Sequence, residues 1–372
     1  MQSDRPRILV DALSITNGGG HSYAVNLIRE LDHDDRGFEF TILVPPGTLS
    51  DIKTKNVALR PIALPDINSA IRVVARFIYE EFVLPFRALR FDAVYSIADV
   101  ASPFLTRPTV VALRNLNIYD HTYYNTFRLR VMEKLVRLGI RRAGRMIFPS
   151  HAAARLISEQ LDLPKHVVRV VPHGVDAEAF TDASCKEGRK PFLFLPAAVE
   201  RHKNLEVLID AIPHFSDPSI EIRIAGPRTT DPVYERRILA RARHSGVEDR
   251  FHLLGPVPYE QVVAYYRGAL ALVFPSFLET FGHPMLEAML AATPIVASDI
   301  PAFQEIGSDV ALFFPPDDPI ALAECVNRLM PESTLTAERV SRGQERAASY
   351  SWKNSTDTLC AVIEEVIDES KR

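Results

Sequence analysis

Short apolar runs separated by longer amphipathic stretches set the pattern of this chain. Arg7 to Val10, Phe38 to Val44, Ala93 to Ser96, Thr109 to Ala112, Met146 to Pro149 and Val167 to Pro172 are short and bounded by breakers, so they predict buried strands. Helical patterns lie between them, among them Tyr23 to Leu31 and His151 to Leu161, the latter preceded by Ser150 as an N-cap. The alternation resumes with strands at Phe192 to Pro196, Glu221 to Ala225, Phe251 to Leu254 and Ala269 to Phe274, and a helix over Gln261 to Arg267. Such alternation predicts an α/β protein with parallel sheets and crossover helices. A last helical stretch, Trp352 to Glu369, carries Thr356, Leu359, Val362, Ile363 and Val366 as an apolar stripe.

Thr181 to Lys190 is polar, contains glycine and lacks periodicity, which makes 181–190 the predicted linker between residues 1–180 and 191–352. A length of 372 residues with 47% apolar content suffices for two cores. The net charge of −4 gives no general attraction to nucleic acid, so no nucleic-acid partner is expected. Cys185, Cys325 and Cys360 lie far apart and without metal-ligand spacing, as expected of reduced packing residues in a cytoplasmic protein. There is no 18-residue apolar stretch, and the first apolar run is too short for a signal peptide. One segment, 128–145, holds Arg128, Arg130, Lys134, Arg137, Arg141, Arg142 and Arg145 against the single acid Glu133, with Val131, Leu135, Leu138 and Ile140 interleaved. It predicts peripheral contact with the inner face of a membrane, an anionic-acceptor groove or a solvated helix face.

The stretch from Phe274 to Asp299, FPSFLETFGHPMLEAMLAATPIVASD, carries the most chemistry. Pro275 and Ser276 end the preceding strand, and Met285 to Leu290 are good helix formers that follow Pro284, a residue suited to a first helical turn. A helix start offers N–H groups and the positive dipole end to a phosphate, and Gly282 lets backbone approach closely. Glu279 and Glu287 flank this start. Phosphate would repel them, so they are expected to accept hydrogen bonds from hydroxyls. Phosphate between two sets of hydroxyls describes a nucleotide sugar; the plain alternative is a strand–loop–helix crossover with two solvated glutamates.

Glu279, Phe281, Gly282, Pro284, Glu287, Ala288, Met289, Pro294, Val296, Ala297 and Ser298 resemble the signature of retaining glycosyltransferases of the GT-B fold, family four, roughly E-x-F-G-x-P-x-x-E-A-M-A-x-G-x-P-V-V-A-S. Ala292 stands where that family generally has glycine. The resemblance implies two Rossmann-like parallel-sheet domains facing across a cleft, with the first binding acceptor, the second binding donor, and a C-terminal helix (353–372) crossing back at Ser351-Trp352. It implies that Glu279 touches the transferred sugar at the reaction centre and Glu287 the ribose. Through the G-T-x-E-P-R-K-N pattern it implies that Lys203 binds the diphosphate. Ala197, Ala198 and His202 depart from that pattern, which puts a second permanent cation in doubt and leaves Arg201 to substitute. The first domain of relatives closes on V-x-P-N-G-V-D, which Val170 to Asp176 resemble with His173 in the Asn position.

Three more places follow from the resemblance. Asn17-Gly18-Gly19-Gly20 coincides with the glycine-rich first loop, so Gly19 and Gly20 are expected at the phosphate or acceptor edge. Arg114 and Asn115 occupy the strand end where relatives carry a His-Asp pair, and are expected to contact sugar or acceptor. Val257 lies in a stretch whose backbone reads the base. Phe281, His283, Pro284, Met285 and Leu286 complete the expected donor contacts. The implied activity is transfer of a hexose, mannosyl and rhamnosyl among those expected, from a nucleoside-diphosphate sugar to a glycan, lipid-linked or small-molecule acceptor, with retention, in surface polysaccharide or glycoconjugate synthesis. No metal or cofactor is expected, since the DxD-like Asp32-His33-Asp34 falls in a polar turn. Competing classes are a nucleotide-sugar-binding protein without transfer activity and a phosphorylase or epimerase of the same fold; a dehydrogenase is disfavoured because no G-x-G-x-x-G follows the first strand.

Overall fold

The computed structural model describes residues 5–15, 19–49, 51–65, 69–97, 99–116, 122, 127–140, 143–180, 191–229, 231–329 and 334–372. The chain divides into two compact units, Met1–Gly174 with Trp352–Arg372, and Val175–Ser351. The division falls at Gly174/Val175, ahead of the predicted linker 181–190, which lies outside the described residues.

The first unit is built on β1 (Arg7–Asp11), β2 (Glu39–Val44), β3 (Val57–Pro61), β4 (Ala93–Ser96), β5 (Thr109–Ala112), β6 (Arg145–Phe148) and β7 (Val168–Val170). They form one sheet in the order β3-β2-β1-β4-β5-β6-β7, and every pairing is parallel. Alternate side chains along the strands, such as Ile8, Val10, Ile42, Tyr95 and Val110, enter one core with Leu27 and Ile28 of the helix Gly19–Asp32 and Leu359 and Ile363 of the helix Trp352–Ser370. The apolar stripe predicted for the last helix therefore completes this core. Trp352, 7% exposed, packs at the start of that helix against Tyr23 and His173, as a packing residue.

The second unit holds β8 (Phe192–Pro196), β9 (Glu221–Ala225), β10 (Phe251–Gly255), β11 (Ala271–Phe274), β12 (Ile295–Ser298) and β13 (Leu312–Phe314), in the order β10-β9-β8-β11-β12-β13. These pairings are parallel too. Both sheets start their order reversal at a central strand, β1 or β8, and ligands of open α/β sheets bind beyond the carboxyl ends of strands at such switch points.

The structure corrects several expectations. Arg145 does not extend the basic helix: that helix is Phe127–Ile140, while Arg145 opens β6, is 4% exposed, and donates to Glu365 at 2.7 Å and Glu369 at 2.5 Å. Arg145 and Arg169 together hold the Glu365 carboxyl down at about 2. Arg137 is likewise occupied by Glu133 and by the Gln160 carbonyl. Arg141 and Arg142, and the side chain of Arg128, lie outside the described residues. An unpredicted element also emerges, a helix Ser69–Ile78 that continues through a π-helical turn, Tyr79–Val83, into the helix Leu84–Ala88. Among the described residues no helix is long and apolar enough to cross a membrane.

Candidate functional site

Three connections of the second unit converge beyond the carboxyl ends of β8 and β11. After β8 the chain makes the 3-10 turn Arg201–Lys203, then Asn204 takes a left-handed φ of 53° and starts the helix Leu205–Ala211. Asn204 is 3% exposed, and its amide donates to the carbonyls of Pro275 (3.1 Å) and Pro316 (2.6 Å). The Phe277 N–H donates to the His202 carbonyl at 2.9 Å. Backbone and a buried amide thus pin the lysine turn to the loop after β11, and Lys203 meets Glu279 as a result. Its ammonium donates to Glu279 Oε1, which also accepts from Ser276 Oγ at 3.0 Å. Both side chains are 17% exposed, and the ammonium lies 5.6 Å from the Phe274 ring centroid. An ammonium has three donors, so two remain for an anion.

His202 resolves the question of a second cation. Burial, and then the neighbouring Lys203 charge, push its imidazole down to about 4, so it is neutral near pH 7. Arg201 turns aside instead, donating to Asp231 at 3.1 Å through Nε and stacking over Tyr234 at 5.3 Å. Asp231 caps the helix Pro232–His244 through the N–H groups of Val233 and Tyr234. Among the described residues, Lys203 is the cation that faces Glu279.

Gly282 initiates the helix His283–Leu290 with φ 106° and no side-chain cap. A Cβ here would lie 3.2 Å from the Phe303 ring and take up a backbone state L-residues avoid, so glycine is required. Phe281 just before this start (3% exposed) and Met285 and Leu286 in its first turn (0% each) are buried in the core. Their side chains belong to the core, so a donor contact expected at these positions falls to their main chain, beside His283 and Pro284. Glu287 is only 7% exposed. Tyr259 donates to its Oε1 at 3.0 Å and Tyr266 to its Oε2 at 2.8 Å, while His283 Nε2 lies 3.8 Å from Oε1. Burial and the adjacent carboxylate push both phenols well above their ordinary range, so they stay protonated and remain donors. Val257, half-buried, precedes the helix Tyr259–Gly268 that carries these tyrosines. Ala292, in the glycine position of the signature, has φ 57°. That left-handed state explains why glycine is usual there.

In the first unit, Gly19 and Gly20 open a helix rather than a loop, and Gly20 has an ordinary φ with open space where a Cβ would stand. Asn17 and Gly18 lie outside the described residues. Arg114 and Asn115 follow β5, and Asp99 accepts from both of their N–H groups, at 2.9 Å from Asn115. The Arg114 guanidinium donates to the Ile97 carbonyl at 2.7 Å and lies 4.7 Å over the Tyr23 ring. Tyr23 and Tyr95 share a hydrogen bond of 2.7 Å.

Two family matches cover nearly the whole of this arrangement. Residues 176–346 match "Glycosyl transferases group 1" and residues 17–179 match "Glycosyltransferase Family 4". The chain belongs to the group 1 glycosyltransferases. Within that family it is 26% identical over 257 residues to the O-antigen chain mannosyltransferase RfbU of Salmonella typhimurium, covering 67% of this chain and 69% of that one. It is 29% identical over 205 residues to the phosphatidyl-myo-inositol mannosyltransferase of Mycobacterium leprae, covering 53% of each. Its fold is that of the Anabaena HepE structure in complex with UDP and glucose, with a TM-score of 0.77 at 17% identity over 97% of this chain and 100% of that one. The two parallel-sheet units are thus GT-B units.

For a group 1 glycosyltransferase the two halves of the signature are built differently. Sequence reasoning missed Ser276, Asp231, Tyr259 and Tyr266, the residues that hold the expected ones. Tyr259 and Tyr266 stand seven apart on one helix, two turns on the same face, which is the signal that pairs them.

Proposed function

We propose that this glycosyltransferase moves a hexosyl unit from a nucleoside-diphosphate sugar to an acceptor hydroxyl with retention of configuration. The observation that carries this is the juxtaposition of Lys203 and Glu279 beside the uncapped helix start at Gly282. Lys203 and the helix start meet the diphosphate, and Glu279 accepts from hydroxyls of the transferred sugar. Glu287, oriented by its two tyrosines, uses its remaining lone pairs for the ribose.

The sugar C1–O bond to the diphosphate breaks as the acceptor oxygen bonds C1 on the same face, and the acceptor proton passes to the departing phosphate oxygen. Charge on the leaving group is met by Lys203 and the helix start, so the reaction we infer uses no metal. The names of the Salmonella and Mycobacterium relatives support a mannosyl donor as the first to test. Incubation with a panel of GDP-, UDP- and dTDP-linked sugars, followed by NMR of the product's anomeric proton, is expected to give transfer with retention. An inverted product, or no binding to any of these donors, overturns the proposal.

A further inference from the structure

The segment 71–90 has a surface of unusual composition. Every exposed residue in it is apolar or arginine: Ile71, Val74, Phe77, Ile78, Phe82, Val83, Phe86 and Leu89, with Arg72, Arg87 and Arg90. Its two acids turn inward, Glu81 buried and Glu80 set 3.3 Å from Arg76. Ile71, Val74, Ile78, Phe82, Phe86 and Leu89 follow one another at intervals of three or four, so they run as a single stripe through both helices and the π-helical turn between them. The stripe is about 27 Å long at 1.5 Å per residue. Phe86 is 75% exposed and Phe82 54%, and Phe104, 56% exposed, stacks on Phe82 at 5.7 Å. Beside Phe86 lies an open groove of about 640 Å³ lined by Arg7, Arg60, Arg87, Arg90 and Phe91. Among the described residues none of these four guanidiniums is ion-paired with a carboxylate.

We propose that this face docks the chain on an anionic lipid bilayer, with the phenylalanine stripe in the acyl boundary and the arginines at the headgroup phosphates. Charge decides the occupant. A second copy of the chain, pairing the same patch with itself, would set Arg87 and Arg90 against arginines, with no exposed carboxylate in the segment to answer them. A lipid surface matches both features, an apolar stripe and flanking cations on one helical face. This surface is separate from the helix Phe127–Ile140, whose Arg137 is already engaged by Glu133.

The test is co-sedimentation of the full chain with phosphatidylglycerol-containing vesicles and, in parallel, with pure phosphatidylcholine vesicles. Binding is expected to the anionic vesicles only, to weaken with salt, and to fall at least about tenfold in both F82S/F86S and R87Q/R90Q. These side chains are exposed, so thermal melting of the variants is expected to match the parent and to separate lost docking from lost folding. Equal binding by parent and variants, binding lost only in R130Q/K134Q, or a concentration-dependent dimer that F82S/F86S dissolves, each overturns the proposal. None of these measurements reads donor chemistry, so the outcome stands apart from that of the proposed transfer reaction.

Discussion

Glu279 and Glu287 sit eight residues apart in one loop and helix, yet the fold treats them in opposite ways. Glu279 is held by a charge, the Lys203 ammonium, with one hydroxyl from Ser276. Glu287 is held by two neutral phenols on a neighbouring helix, one on each oxygen. A carboxylate gripped by neutral donors is a fixed fitting, whereas the ammonium that grips the other has donors left over for a diphosphate. Under the proposed reaction, that difference gives chemistry to the first and positioning to the second.

The comparison breaks most sharply at Glu279. Glu279→Gln is expected to lower kcat by about a thousandfold while donor binding is partly kept; calorimetry with the donor alongside turnover checks this, and unchanged turnover removes the assignment. Lys203→Met is expected to lower kcat/KM by about a hundredfold through lost charge on the leaving group, with the loss shared by kcat. On the other side, Tyr266→Phe leaves a buried carboxylate oxygen short of a donor and is expected to destabilise the fold by about 1–3 kcal/mol and to raise the donor KM more than it lowers kcat. An effect confined to kcat would place Glu287 in the chemistry and erase the contrast.

The His202 imidazole sharpens the comparison through pH. Its folded value, about 4, is below its unfolded one, so the unfolded chain binds the extra proton between these values, and stability present above about pH 6.5 is lost as pH falls towards 4. His202→Gln is expected to flatten that part of the stability–pH curve in urea titrations, whereas Tyr266→Phe leaves its shape alone. The smallest effect is at Ala292. Replacing it by glycine relieves a left-handed alanine and is expected to stabilise by roughly 0.5–1 kcal/mol; a loss of stability on chemical denaturation would show that the alanine is not strained.

The fold is legible where burial dictates pattern. Leu193, Phe194, Leu272 and Val273 are 0% exposed, and such strands announce themselves as unbroken apolar runs. Val57–Pro61 does not, because it is the edge strand and its burial dwindles along its length, leaving only Val57 buried. Nor does the helix Ser69–Ile78, whose apolar residues Ile71, Val74, Phe77 and Ile78 are exposed instead of marking a buried face. Within the site, the signature marks Glu279, Gly282 and Glu287 because backbone conformation and helix position fix them locally. It cannot show which neighbours grip the glutamates, since Lys203 is 76 positions from Glu279 in sequence and Tyr266 is 21 from Glu287. Nor does it show that the side chains of Phe281, Met285 and Leu286 go to the core, which leaves their main chain for any ligand contact.

The core of the first unit is closed by Leu359, Ile363 and Val366, which belong to the helix Trp352–Ser370. On the ribosome these residues emerge after all of Val175–Ser351, so the half of the molecule that is made first is finished last. Until then its sheet carries an uncovered apolar face, and the later-made half is the one able to mature while synthesis is still under way.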